Sequence, residues 1–381
     1  MKHAASLMAA LAGMSSAFPA MEEVMKLVSK RQSPSTELLG DLLTLQDGQL
    51  TQTGRDIKSI LQGSGSGIDA TSTTSNVPPK GSTQCAQDPC CIWKYIADDM
   101  HSAMVDSSGQ CNDLAHGSIR LGFHDAWGWS KSSGPSGGAD GSIVLAGECE
   151  SRSGNANLQD TCSQMRTWFT QYQQFGIQMA DLIQMAANVA TVSCPLGPRV
   201  RTFVGRNDSN QPAPRDDIPQ AFDSADVLIN GFAERTFTPD NLAALVGAHS
   251  TGRQRVTDPA KANEAFDSTP GVWDTAFYGE VLDPNAPSTV FKMQSDINIS
   301  QDPRTKQAWN AFVGTQGQQP WDGAYATAYV RMSLLGVQNI NTLTECTKVL
   351  PPFIQSTSSV RRTNGTLTTR RMVQAKPVLT Y

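Results

Sequence analysis

Eight cysteines constrain this chain more than any other feature, and all of them fall between positions 85 and 346. Their count is even, and the chain opens on a segment that reads as a secretory signal. Lys2 and His3 precede an Ala-rich apolar run to Ala12, and Ser15, Ser16 and Ala17 suit cleavage near positions 17 to 20. Cysteines behind such a signal meet an oxidising compartment, so a disulfide framework is expected. Spacing alone does not choose among the roughly one hundred pairings that eight cysteines allow.

The 381 residues suffice for one large domain or two small ones. Only 17% of them are charged and the net charge is −5, so no basic patch suits nucleic acid. No apolar run reaches the length of a membrane span. After a signal peptide over 1–20, residues 21–31 end in Lys30-Arg31, a dibasic pair like those at which pro-segments are removed. Residues 32–84 read as an extension and flexible linker. Leu38, Leu39, Leu42 and Leu43 share one helical face, Ile57, Ile60 and Leu61 share another, and 63–84 is rich in Gly, Ser and Thr. The extension is expected to dock on the main domain, 85–350, without entering its core. A polar tail with four arginines fills 351–381.

Within the main domain the regular segments are helical. Apolar residues recur at helical spacing over 178–192, and 303–313 and 321–335 read as two further helices. Thr238-Pro239-Asp240 is a helix start, with a Thr cap, Pro at the first position and an early acid. Long alternating strand patterns are absent. Sequons at Asn207, Asn298 and Asn364 agree with secretion.

Two stretches carry candidate chemistry. In Ser118-Ile-Arg120-Leu-Gly-Phe123-His124-Asp125, Arg120 and His124 lie one helical turn apart on one face. The motif has no carboxylate on that face to neutralise the guanidinium. Burying such a pair is costly unless a polar ligand sits between the two groups. His249 shares an apolar face with Leu242, Leu245 and Val246. A lone histidine there is more often a core residue than a ligand, so its neighbours decide the matter.

Arg120-Leu-Gly-Phe123-His124-Asp125 resembles the distal motif of the plant, fungal and bacterial haem peroxidases, and Leu245-Val-Gly-Ala-His249-Ser250 resembles their proximal motif. Met293-Gln-Ser-Asp296 and Phe266-Asp-Ser-Thr-Pro-Gly-Val-Trp-Asp274 follow in the family's order. The likeness runs from about Cys85 to Pro351 and is greatest to the secreted fungal class II branch.

The resemblance implies an all-α, two-lobed, disulfide-stapled fold with haem b between a distal and a proximal lobe. It implies His249 as the iron ligand, Asp296 as its carboxylate partner, and Phe123 and Phe266 against the macrocycle. His124 is then the acid–base catalyst for hydrogen peroxide, Arg120 the stabiliser of developing charge, and Asn155 the partner of His124, with Asn157 a possible substitute. Two Ca2+ sites are implied. The distal one uses Asp125, Gly138, Asp140 and Ser142; the proximal one uses Ser250, Asp267, Thr269, Val272 and Asp274. The implied bridges are Cys85–Cys91, Cys90–Cys346 and Cys111–Cys194, which leaves Cys149 with Cys162. Gln307 stands where the family's usual fourth bridge has a cysteine.

Substrate range divides the family. Manganese-oxidising members carry acids where this chain has Asp113, Gly117 and Arg255, and lignin-oxidising members carry a surface tryptophan where it has Ala244. The expectation is a secreted, monomeric, generic peroxidase that oxidises small phenols and other aromatic reductants one electron at a time. The alternative is a lignin-type enzyme with a tryptophan relay through Trp127, Trp129 or Trp273. A hydrolase lacks its Gly-x-Ser-x-Gly or His-Glu-x-x-His signature. An inert scaffold would not require Arg120, His124 and His249 together.

Overall fold

A computed structural model describes residues 35–355. The expected signal peptide, the pro-segment with its dibasic pair, the sequon at Asn364 and nearly all of the polar tail lie outside the described residues. Among the described residues there are fourteen α-helices and a single two-residue strand pair, Phe203–Val204 (β1) with Thr344–Glu345 (β2), antiparallel with Phe203 opposite Glu345. The fold is all-α, as expected.

The helices run α1 (Gln52–Leu61), α2 (Thr83–Gln87), α3 (Cys91–Met104), α4 (Asp113–Trp127), α5 (Ser142–Leu145), α6 (Glu148–Ser151), α7 (Gln159–Tyr172) and α8 (Met179–Ser193). They continue through α9 (Ala225–Ala233), α10 (Pro239–Val246), α11 (Ala276–Leu282), α12 (Gln294–Gln301), α13 (Lys306–Ala311) and α14 (Gln318–Met332). One lobe forms where α4 lies along α8, with α3 and α7 beside them. The other forms where α10 packs on α13 and α14, with α11 and α12 beside it.

Every residue of α8 is buried, which explains its nearly unbroken apolar run. Its exposed amide ends are met by Asp208, whose carboxylate accepts from Met179 N at 2.9 Å and Ala180 N at 2.8 Å. Asn112 caps α4 by accepting from the backbone of Leu114 and Ala115. Gly122 lets α8 and α14 close on α4: a Cβ there would lie 2.1 Å from the Tyr329 hydroxyl and 2.7 Å from the Ala187 methyl. Thr238 caps α10 through a capping box with Asn241, and Pro239 occupies the first turn.

The segment before the first cysteine departs from expectation. Leu39, Leu42, Leu50, Ile57, Ile60 and Leu61 join the main hydrophobic core, each at most 5% exposed. Burial of each such side chain stabilises by about 1.5–3 kcal/mol before ordering entropy is subtracted. Of the four leucines thought to share a face, Leu43 instead points outward, 67% exposed. The buried Arg331 guanidinium ties the segment down, donating to the carbonyls of Ser35, Glu37 and Leu61 at 2.6–2.8 Å. The Gly/Ser/Thr-rich stretch is fastened as well: Asp69 N donates to Arg199 O, Thr74 N to Lys348 O, and Gly67 O accepts from Arg201 N. Composition reports local chain stiffness and is blind to distant backbone partners.

The eight cysteines pair as Cys85–Cys91, Cys90–Cys346 and Cys111–Cys194, the three bridges that the resemblance implies, and Cys149–Cys162, the pair left over.

Candidate active site

Arg120 and His124 project from α4 onto one face. Arg120 Nε donates to His124 Nε2 at 3.1 Å, and its terminal nitrogens donate to the carbonyls of Ala156 at 2.8 Å and Gly154 at 3.2 Å. No carboxylate pairs with it among the described residues. Burial alone pulls its pKa down to about 10. His124 Nδ1 lies 2.8 Å from Asn155 Oδ1. The Asn155 amide is itself oriented, because its Nδ2 donates to Glu148 O at 3.0 Å. Oδ1 can only accept, so the His124 proton sits on Nδ1 and the Nε2 lone pair faces Arg120. Burial first, and Arg120 second, push the His124 pKa down to about 3 against the opposing bond to Asn155. A neutral base beside an unneutralised cation suits a ligand that gives up a proton and gathers negative charge.

The loop that presents Asn155 runs between α6 and α7 and is closed by Cys149–Cys162. Asn157 makes no side-chain hydrogen bond to His124 among the described residues. It adopts φ 66°, the left-handed region where Asn is among the better-tolerated side chains. Glu148 was not foreseen. Its carbonyl fixes Asn155, while its carboxylate pairs with Arg152 at 2.6 Å and accepts from Ala213 N at 2.9 Å. The spacing Glu148/Arg152 was the only available signal, and i,i+4 pairs are too common to single it out.

His249 lies where α10, ending at Val246, tightens into a 3-10 turn over Gly247–Thr251. The expected helix therefore stops three residues short of it. Its Nδ1 is 3.2 Å from the buried Asp296 carboxylate, which stands on α12. The Phe266 and Phe277 rings flank the imidazole at 5.2 and 5.7 Å. Its side chain is still 35% exposed, and Nδ1 is the one ring nitrogen with a hydrogen-bond partner among the described residues. Across the site, Phe123 packs on His124 and Trp127.

Both oxygen-rich loops are held by local hydrogen bonds. Asp125 accepts from Gly141 N at 3.1 Å and Ile143 N at 3.3 Å, and Asp140 accepts from Ser142 N at 3.0 Å and bonds back to Gly138 O at 2.8 Å. In the second loop the Ser250 hydroxyl lies 2.7 Å from Asp267 Oδ2, 2.9 Å from Asp274 O and 3.4 Å from Val272 O. Thr269 Oγ1 donates to Asp274 Oδ1 at 3.1 Å. No cationic side chain neutralises these four carboxylates among the described residues. Burial raises the pKa of Asp125 and Asp140, and the like charge of Asp140 adds to the shift at Asp125. Asp267 is pushed up to about 8 by burial and by Asp274. Neither loop gathers three carboxylates or imidazoles, and no such cluster occurs elsewhere among the described residues. The remaining donors are carbonyls and hydroxyls, a set suited to a hard cation such as Ca2+.

Over residues 96–315 the sequence matches the family described as "Peroxidase". The chain belongs to the peroxidase family. It is 30% identical over 300 residues to the peroxidase of Arthromyces ramosus, an alignment covering 73% of this chain and 80% of that one. It is 31% identical to manganese peroxidase 3 of Phlebia radiata (73% and 81% covered) and 31% identical to ligninase C of Trametes versicolor (75% and 81% covered). This peroxidase is an oxidoreductase that uses hydrogen peroxide, and its family works with haem. No described helix is long and apolar enough to cross a membrane.

The positions that divide the family by substrate have distinct surroundings here. Asp113 is engaged in an ion pair with Arg255 at 2.5 Å, and the space beside Gly117 is filled by Thr161, whose Oγ1 lies 2.1 Å from where a Cβ would stand. Ala244 is fully buried, its carbonyl accepting from Trp321 Nε1 at 3.0 Å. Trp127 and Trp273 are buried, while Trp129 is half-buried.

Proposed function

We propose that this peroxidase binds haem b through His249 and oxidises small phenols and similar aromatic donors one electron at a time at the haem edge. The observation that carries the reading is the neutral His124, locked by Asn155 beside a half-buried, carboxylate-free Arg120. Bound haem would supply the iron that takes up peroxide and stores its oxidising equivalents. His124 Nε2 accepts the proton of the incoming peroxide and returns it to the departing oxygen, which leaves as water. Arg120 shifts its Nε–H from His124 toward that oxygen and stabilises the negative charge as the O–O bond breaks. Asp296 accepts from His249 Nδ1, fixes the ring and leaves Nε2 for the metal, while raising its donor strength. Phe123 and Phe266 offer apolar faces to a flat macrocycle.

Two Ca2+ ions complete the site in this reading, one on Asp125, Gly138, Asp140 and Ser142, the other on Ser250, Asp267, Thr269, Val272 and Asp274. Asp125 follows His124 and Ser250 follows His249, so each ion anchors a segment that presents a functional histidine. The support is the buried, unneutralised carboxylates. Four disulfides agree with a secreted enzyme.

The Asp113–Arg255 pair and the buried Ala244 favour small reductants over Mn2+ and over bulky lignin-type substrates. Steady-state kinetics with a phenol, Mn2+ and a high-potential aromatic test this. Turnover should be efficient with the phenol and slow with the other two. Saturable Mn2+ oxidation at micromolar metal would contradict it.

A further inference from the structure

The mechanism leaves unused a column of oxidisable rings between the two lobes. Its near end is Trp321 on α14. That indole packs on the turn that carries His249: a Cβ on Gly247, two residues before the histidine, would lie 2.4 Å from Trp321 Nε1. Trp321 stacks on Trp273 with centroids 4.8 Å apart and planes within 2° of parallel. Trp273 meets Tyr325 at 4.6 Å, and Tyr325 stacks on Tyr329 at 5.6 Å. All four rings are at most 2% exposed.

Core packing alone would account for buried rings at these distances, each with a partner for its N–H. The two indole N–H groups differ in the kind of partner. Trp321 Nε1 donates to Ala244 O, a carbonyl that cannot take a proton away. Trp273 Nε1 donates to the Asp322 carboxylate at 3.2 Å, and Gln318 Nε2 holds the same oxygen at 3.0 Å. Asp322 is only half-buried, so a proton received there has a way to solvent. Parallel stacking lets two indoles share a missing electron, and loss of the N–H proton then fixes that vacancy on one of them.

We propose that Trp273 is an internal holding site for one of the two oxidising equivalents delivered by peroxide, reached through Trp321 and stabilised by proton transfer to Asp322. The proposal rests on the haem reading given above. One electron leaves the Trp273 indole by way of Trp321 and reduces the oxidised cofactor by one equivalent. The N–H proton passes to Asp322, leaving a neutral indolyl radical. When a reductant supplies an electron at the haem edge, one electron and one proton return to Trp273 and the indole is restored. None of the rings reaches the surface, so the column shelters the cofactor from excess peroxide and does not serve bulky substrates.

The test mixes the haem-loaded full chain with one equivalent of peroxide and no reductant, freezes it within milliseconds, and records both the electron paramagnetic resonance and absorption spectra. The wild type should give a tryptophan-type radical. Trp273→Phe, which keeps a ring in the stack, should lose at least tenfold of that signal while its absorption still changes on adding peroxide. Asp322→Asn should shorten the lifetime of the radical several-fold, and after excess peroxide the oxidised residue recovered by peptide mass mapping should be Trp273. An undiminished radical in Trp273→Phe, or a radical assigned to a tyrosine, overturns the proposal. A wild type whose absorption changes normally but which shows no protein radical overturns it alone. No absorption change at all overturns the haem reading beneath it.

Discussion

The two functional histidines sit in opposite environments. His124 is buried, hydrogen-bonded at both ring nitrogens, and held neutral down to about pH 3. Among the described residues His249 has one hydrogen-bond partner, Asp296, and its side chain is 35% exposed. An imidazole that must take and return a proton needs a fixed tautomer and a low pKa, and burial beside Arg120 provides both. An imidazole that must ligate needs one nitrogen tied and the other free. In the proposed reading the same side chain therefore takes two tasks, and the comparison can be attacked from either side.

The largest effect is expected on the distal side. His124→Ala should slow the reaction with peroxide by about 10²–10⁴-fold, the range of acid–base catalysis. Arg120→Leu should cost about 10²-fold, as loss of one charge-stabilising donor does. Stopped-flow absorbance measures both, and near wild-type rates would dissolve the distinction between the two sides.

Calcium should matter to both sides. Chelation leaves Asp125 and Asp140, and Asp267 and Asp274, as buried neighbouring carboxylates, so the melting temperature should fall by several degrees and the peroxide reaction should slow. Calorimetry before and after chelation, with metal analysis, checks this. Fresh active protein without calcium would remove that part of the account.

The pH profile sharpens the contrast. The His124 pKa is depressed from an ordinary value near 6.5, so its neutral form is already complete at neutral pH and persists on acidification. The rate with peroxide should stay flat from about pH 7 to about pH 4. The stability share of this group is present above the unfolded value near 6.5 and is lost as pH falls through about 3, because the unfolded chain takes up the proton first. A rate that halves near pH 6.5 would show an ordinary imidazole.

The smallest effect concerns the surface. Asn207 is exposed in a loop, whereas Asn298 lies within α12 and its Nδ2 donates to Asp223 O at 2.8 Å. Glycopeptide mapping of the secreted protein should find a glycan on Asn207 and none on Asn298, with little change in activity when Asn207 is replaced by Gln.

Sequence exposed the all-α fold and the juxtaposition of Arg120 and His124, but not how the N-terminal segment packs. Arg120 and His124 sit at a spacing that has one helical meaning, and Ser250 adjoins His249, so local order carried those assignments. Asp267 and Asp274 converge because one short string holds both, whereas Asp125 meets the Asp140 loop only through its bonds to Gly141 N and Ile143 N. The N-terminal segment was misread because Leu39, Leu50 and Ile60 find their partners far along the chain, and local composition holds no record of that. The roles of Glu148 and of the Trp273–Asp322 bond were hidden for the same reason: each depends on groups between 7 and 49 positions apart. The 3-10 turn under His249 was also invisible, since Gly247 permits several backbones and packing against Trp321 and Tyr278 selects one.

The most direct measurement compares haem uptake and the response to peroxide in His249→Ala and His124→Ala, prepared side by side with the wild type. The account predicts that His249→Ala loses or greatly weakens haem binding, whereas His124→Ala keeps a normal Soret band that fails to shift on adding peroxide. A His249→Ala variant with an unaltered haem spectrum, or a His124→Ala variant that shifts as fast as the wild type, would contradict it.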